Sequence, residues 1–187
     1  DIDVLCELAA SNAVAVNVSV TSLDPSLQRV LEPRTTSPEG RLDAIRQLRE
    51  ANIPVGVMVA PIIPGLNDHE VPNILTACAE AGAQFAGYTI VRLPWAVAQL
   101  FEHWLEEHFP DRKDKVLGRI RAMRRNRLNN SQWHKRMKGE GVFAEQIASL
   151  FKVGCHHAGI GERPTLSCKA FRRSRTQLSL FGRNYPC

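Results

Sequence analysis

Cys155, His156 and His157, with Cys168 beyond, are the residues whose types most directly invite metal chemistry, because thiolate and imidazole are zinc ligands. Their spacing argues the other way. Adjacent Cys and His rarely reach one ion together, and neither CxxC nor HxxxH is present, so no metal-ligating set is assigned. The five cysteines are odd in number and irregularly spaced, unlike a disulfide framework. A second constellation is electrostatic. Arg112 to Lys138 holds eleven Lys or Arg against one acid, Asp114, in a chain whose formal net charge is +5, so the remainder is net acidic. With Trp133 or His134 stacking on a base, these cations could track a nucleic-acid backbone; scattered around a helix, they could equally be its solvated face. The strand candidates carry no lysine for a Schiff base, and no Gly-rich phosphate loop is present.

A third feature is a shape. In "IPVGVMVAPIIPGLNDHE", Ile53 to Glu70, an apolar strand with no polar face runs into Pro61, Pro64 and Gly65. Such a strand is buried on both sides in a parallel sheet, and proline, which lacks an amide proton, should stop it near Ala60. The loop at the carboxyl end of such a strand is where ligands bind.

The elements around that loop repeat. Strand candidates at Ala13 to Thr21, Ile53 to Ala60 and Phe85 to Leu93 alternate with helices. The first helix is capped by Ser37 with Pro38 and carries Leu42, Ile45 and Leu48 inward. The second carries Val71, Ile74, Leu75 and Cys78 and stops at Gly82; a thiol on that face is expected to be buried. The third opens at Pro94, with Val97, Leu100, Phe101, Trp104 and Leu105 as its stripe. Strands and helices at this spacing give right-handed βαβ units and an α/β parallel sheet. Beyond Pro110 a thinner stripe, Val116, Leu117, Ile120 and Met123, is followed by loop, a helix over Glu140 to Phe151, and an irregular tail. The expected division is 1–110 for the βα units and 111–187 for a basic helical extension with its tail.

With 187 residues, 44% hydrophobic and 23% charged, the chain can bury a real core. It has no membrane-length apolar run and no secretory pattern, which reads as cytoplasmic. Its opening, "DIDVLCELAASNAVAVNVSV", reads as the last turns of a helix entering a strand, which suggests a C-terminal fragment of a longer protein.

In order along the chain, "VNVSVTSLD", "LEPRTTSPEGRLDAIRQLREANIPVGVMVAPIIPGLND" and "YTIVRLP" resemble the C-terminal half of a radical S-adenosylmethionine (SAM) enzyme of the spore photoproduct lyase-like subgroup. "WHKRMKGEGVFAEQIASLF" and the closing "QLSLF" resemble an uncharacterised bacterial branch of it. The resemblance implies the second half of a partial (βα)6 TIM-like barrel. It implies an enzyme that reductively cleaves SAM at a 4Fe-4S cluster to give a 5'-deoxyadenosyl radical, with an external electron donor and an unidentified substrate. The family's CxxxCxxC cluster motif is absent here, so the ligands would precede Asp1 and this chain alone would be inactive. The resemblance further implies a cosubstrate site in which Ser19 and Thr21 meet the ribose and Arg34 holds the carboxylate. Ile62 and Ile63 would contact the adenine, with Val91 and Leu93 as the opposite wall. Tyr88 or a cysteine could return a hydrogen atom to a product, none being preferred. The alternative is a non-catalytic βα module that binds nucleic acid through 112–138.

Overall fold

The computed structural model describes residues 1–130, 132 and 135–172. Trp133, His134, Cys187 and the closing "QLSLF" lie outside the described residues. The chain opens with helix α1 (Ile2–Ala10), which leads to strand β1 (Val16–Ser19). Helices α2 (Pro25–Leu31) and α3 (Pro38–Glu50) precede strand β2 (Val55–Ile62), and helix α4 (Val71–Glu80) joins it to strand β3 (Phe85–Ile90). Helices α5 (Ala96–His108), α6 (Lys113–Ala122), α7 (Lys135–Lys138) and α8 (Val142–His157) follow. The strands form one parallel sheet in the order β1-β2-β3, the expected product of consecutive βαβ units.

The strand ends differ from expectation for local reasons. β1 begins only at Val16, because Ala13 N–H donates to Leu8 O and completes α1, while the ladder starts with Val16 N–H donating to Pro54 O. β2 runs through Pro61 rather than stopping at Ala60. The β1 ladder has already ended where Val20 N–H meets Met58 O, and the β2–β3 register shifts between Val59 and Ile62. The missing amide proton of Pro61 therefore falls in a bulge where no ladder bond is required. Pairing resumes as Val91 N–H donates to Ile62 O, just past the end of β3 at Ile90.

Helix α2 lies where sequence reading expects loop; Asp24 accepts from Ser26 N–H and Pro25 fills the first turn, a complete start signal. Ser37 caps α3 as expected, accepting from Gly40 N–H. α8 continues to His157, so Cys155, His156 and His157 end a helix instead of opening an irregular tail.

Alternation along the strands divides the sheet into two faces. Val55, Val57 and Val59 are 0, 0 and 1% exposed and pack in the core with Leu42, Ile45 and Leu48 of α3 and with Ile74, Leu75 and Cys78 of α4. α8 lies on α4, and Gly154 permits the approach: a Cβ there would stand 2.7 Å from Leu75 Cδ1. Val116, Leu117, Ile120 and Met123 of the basic stretch and Ile147 of α8 join the same core. The opposite face carries Asn17 and Ser19, both exposed, and half-buried Met58 and Gly87. At its amino end the tail crosses from β3 toward β1. Gly161 N–H donates to Gln84 O, the Arg163 guanidinium lies 5.9 Å from the Phe85 ring centroid, and Ser167 N–H donates to Asn12 O. Among the described residues, no helix is long and apolar enough to cross a membrane.

Candidate functional site

The carboxyl ends of the strands are tied together by side chains of the following loops. Asn67, 2% exposed, sits in the loop after β2, where Leu66 and Asn67 N–H groups both turn back to Ile63 O. Its Oδ1 accepts from Ile63 N–H at 2.7 Å, and its Nδ2 donates to Thr21 O at 2.8 Å and Pro61 O at 3.1 Å. One amide thus uses both ends to fix the exits of β1 and β2. Glu70 fixes the next segment, accepting from Ser22 Oγ at 2.8 Å and from Leu23 N–H at 2.8 Å.

Against this fixed edge lies a cleft of about 470 Å³ between β1 and the start of α3, lined by Val18, Ser19, Glu32, Arg34, Thr35 and Arg41 among others. Ser19 and Arg34 are both exposed and stand on this one wall. Two acids were the natural partners for Arg34, and both are taken: Glu32 pairs with Arg41 at 2.8 Å and Glu39 with Arg46 at 3.1 Å. Arg34 has no acid partner among the described residues.

Arg41, which sequence reading passed over, organises the cleft. Besides Glu32 it donates to Ser19 O at 2.8 Å, to Thr35 Oγ1 at 2.9 Å and, through Nε, to Thr36 O at 3.1 Å. Neighbouring amides of β1 point to β2, so the Ser19 carbonyl faces the free edge of the sheet, and the guanidinium satisfies it there. The signal for Arg41 was available in "EPRTTSPEGR": it lies one turn into a helix whose cap, Ser37, fixes where the side chain points.

The other expected site residues lie behind this wall. Thr21 is 2% exposed, and its hydroxyl donates to Ala60 O at 2.9 Å, with Glu32 Oε2 at 3.1 Å. Ile62, Ile63, Val91 and Leu93 are 1, 0, 7 and 2% exposed and belong to the core cluster. Ser19 and Thr21, expected to share one side, are separated because β1 ends at Ser19. Tyr88 faces the helices, its ring 4.7 Å from that of Phe151, and burial raises its phenol above the usual range. Behind Val91, the guanidinium of Arg124, 1% exposed, donates to Val91 O at 2.7 Å and Arg136 O at 3.0 Å. Burial lowers its pKa, and the charge of Arg92 adds to the effect.

Of the residues whose types alone could ligate a metal, Cys155 is half-buried at the end of α8 and Cys168 is exposed in the tail. No group of three or more His, Cys, Asp or Glu side chains able to hold a metal ion occurs among the described residues. Within the basic stretch, Lys113 pairs with Glu106, Arg119 with Asp68, Arg121 with Glu102, and Arg125 and Lys135 with Glu140.

An uncharacterised protein of Mycobacterium tuberculosis is 34% identical over 160 residues, 83% of this chain and 45% of the relative; one of Mycobacterium bovis matches to the same extent. An uncharacterised protein of Methanocaldococcus jannaschii is 26% identical over 100 residues, 54% of this chain and 37% of that one. The chain therefore spans about half the length, or less, of these curated relatives. No solved structure matches. Residues 1–78, which include β1, the cleft and the Asn67 loop, match the Radical SAM superfamily, whose members generally use SAM and a 4Fe-4S cluster.

Proposed function

We propose that this chain supplies the cosubstrate-binding part of a radical SAM enzyme, with the cleft between β1 and α3 as the place where SAM's polar end is held. The observation that carries the reading is Arg34: an exposed cation without an acid partner among the described residues, beside Ser19, inside the segment that matches the superfamily. SAM presents a carboxylate, a ribose diol and an adenine ring, so a free guanidinium and an exposed hydroxyl on one wall are the donors its polar end needs. SAM bound there would supply the one-electron chemistry of the superfamily, while the residues of this chain hold and orient it.

The cleft and the cluster differ in how well the chain fits them. Ser19 and Arg34 suit the cosubstrate. Cys6, Cys78, Cys155 and Cys168 do not suit the cluster, because no two have the spacing of CxxxCxxC and no ligand group forms among the described residues. The cluster's ligands would lie in a preceding part of a longer protein, a reading that the 45% span of the mycobacterial relatives supports. The residues at hand bind and orient: Arg34 anchors the carboxylate, Ser19 meets a hydroxyl, and Arg41 keeps Ser19 and Glu32 in place. Thr21, Ile62, Ile63, Val91 and Leu93 form the packed support behind. The motifs "EPRT", "PIIPGLND" and "RMKGEG", in that order, support a member of the spore photoproduct lyase-like subgroup.

The alternative, a module binding nucleic acid through 112–138, draws less support, since Lys113, Arg119, Arg121, Arg125 and Lys135 are held in ion pairs. The test of the cosubstrate reading is calorimetric titration of SAM into the full-length, cluster-loaded protein. Arg34→Ala is expected to weaken binding by about 1.5–3 kcal/mol, the loss of a charged hydrogen bond. Binding equal to wild type would remove Arg34 from the site.

A further inference from the structure

Three cations of the basic stretch are set apart from the rest by position. Arg112, Lys115 and Arg119 recur at spacings of three and four, so they stand on one side of α6 and its entry turn, while Val116, Leu117 and Ile120 face the core. Along that side lies an open cavity of about 640 Å³, bordered by the Pro64–His69 loop and by α8, within the size range of small-molecule sites. It shares no lining residue with the Ser19–Arg34 cleft.

The lining is built in two halves. Arg112, Lys115 and Arg119 supply charge, with His69 beside them, and among the described residues Asp68 is the one carboxylate on the wall. Asp68 bonds Arg119 at 3.1 Å, and the Arg119 guanidinium lies 5.2 Å from the Phe143 ring centroid, so this cation is fixed before any ligand arrives. Gly65, at φ +86°, brings the loop close: a Cβ there would be 3.4 Å from Arg119 Cδ and 3.6 Å from Lys115 Cγ. Phe143, Ile147 and Leu150 of α8 supply the apolar half.

We propose that this cavity binds a small phosphomonoester with an apolar or aromatic body. Three cations against one carboxylate leave a surplus of two charges, which matches a phosphomonoester dianion; a carboxylate would use only one of them. The phosphate sits toward Arg112 and Lys115, and the body lies on Phe143 and its aliphatic neighbours. A small ligand is favoured over an extended polyanion because four of the flanking cations, Lys113, Arg121, Arg125 and Lys135, each hold an acid of this chain, which breaks up the run of open charge around the cavity among the described residues. The proposal rests on this cavity alone and stands or falls apart from the SAM reading.

The test is calorimetric titration of the whole chain with phenyl phosphate, with inorganic phosphate and a short single-stranded oligonucleotide as the other probes. Phenyl phosphate is expected to saturate one site and to bind at least several-fold tighter than inorganic phosphate. The Arg112→Gln/Lys115→Gln pair should weaken it at least tenfold, Lys115→Gln alone by less, and Arg34→Ala not at all. Both Gln positions are exposed, so circular dichroism should show the fold retained. Absence of a saturable signal would overturn the proposal. So would equal affinity for phenyl and inorganic phosphate, unchanged binding by the double variant, or oligonucleotide binding that the double variant abolishes while phenyl phosphate gives none.

Discussion

The two faces of the sheet are built on opposite terms. On the helix side, Val55, Val57 and Val59 are sealed by α3, α4 and, through α4, α8, and burial holds the Cys78 thiol there neutral. On the other side, Asn17 and Ser19 meet solvent, and order at the carboxyl end comes from directed bonds of Arg41, Asn67 and Glu70. The first face is made by area and tolerates conservative exchange. The second is made by geometry, in which one lost partner strands several others.

The largest expected effect comes from removing the guanidinium that organises the open face. Arg41→Ala deletes bonds to Ser19 O, Thr35 Oγ1 and Thr36 O and leaves Glu32, 25% exposed at its side chain, without its cation. Urea denaturation should show a loss of about 3 kcal/mol, charged hydrogen bonds being worth about 1.5–3 kcal/mol apiece and not adding fully. A loss within 0.5 kcal/mol would mean that the open face is no more geometric than an ordinary surface.

The sealed face is sharpened by pH. Burial pushes the Cys78 thiol up to about 12 from an ordinary 9.0. The unfolded chain therefore releases this proton near pH 9 while the folded chain keeps it, and unfolding gains from every further unit of pH. Below pH 9 the contribution is fully present; above it, stability falls by about 1.4 kcal/mol per unit until the folded thiol ionises. Cys78→Ala should flatten the decline between pH 9 and 10.5 in paired urea titrations, and parallel declines would show that the thiol is not sealed.

Two smaller effects return to the cleft. Ser37→Ala removes the acceptor for Gly40 N–H at the start of α3 and should cost about 1 kcal/mol in thermal or urea unfolding. Arg34→Ala, one loop away, should leave stability within about 0.5 kcal/mol of wild type, because among the described residues no bond of this exposed side chain supports the fold. That pairing separates a residue held for structure from one free for a ligand. A stability loss as large as that of Arg41→Ala would place Arg34 in the frame instead.

What the sequence determined by itself was the periodicity and local caps of α3, α4 and α6; on α5 the stripe is narrower than its spacing suggests, with Phe101 and Leu105 buried but Val97 and Leu100 44 and 67% exposed. Leu42, Ile45 and Leu48 on α3, Val71, Ile74, Leu75 and Cys78 on α4, and Val116, Leu117 and Ile120 on α6 with Met123 just after it are all buried where their spacing put them. Ser37 caps α3 because its own chemistry needs no distant partner. Start signals for α2 were also present, in Asp24 and Pro25, but seven residues are too short for an apolar stripe to announce. Only the tertiary structure decided where strands end and which polar groups remain free. Pro61 can stand in β2 because its neighbours leave that stretch unpaired, a fact about β1 and β3 that no reading of β2 contains. Arg34 and Arg41 each follow an acid by two positions, Glu32 and Glu39, and look alike on paper. Which of them takes Glu32 is set by the orientation of α3 against the edge of β1, and that choice leaves one arginine a clamp and the other an open cation.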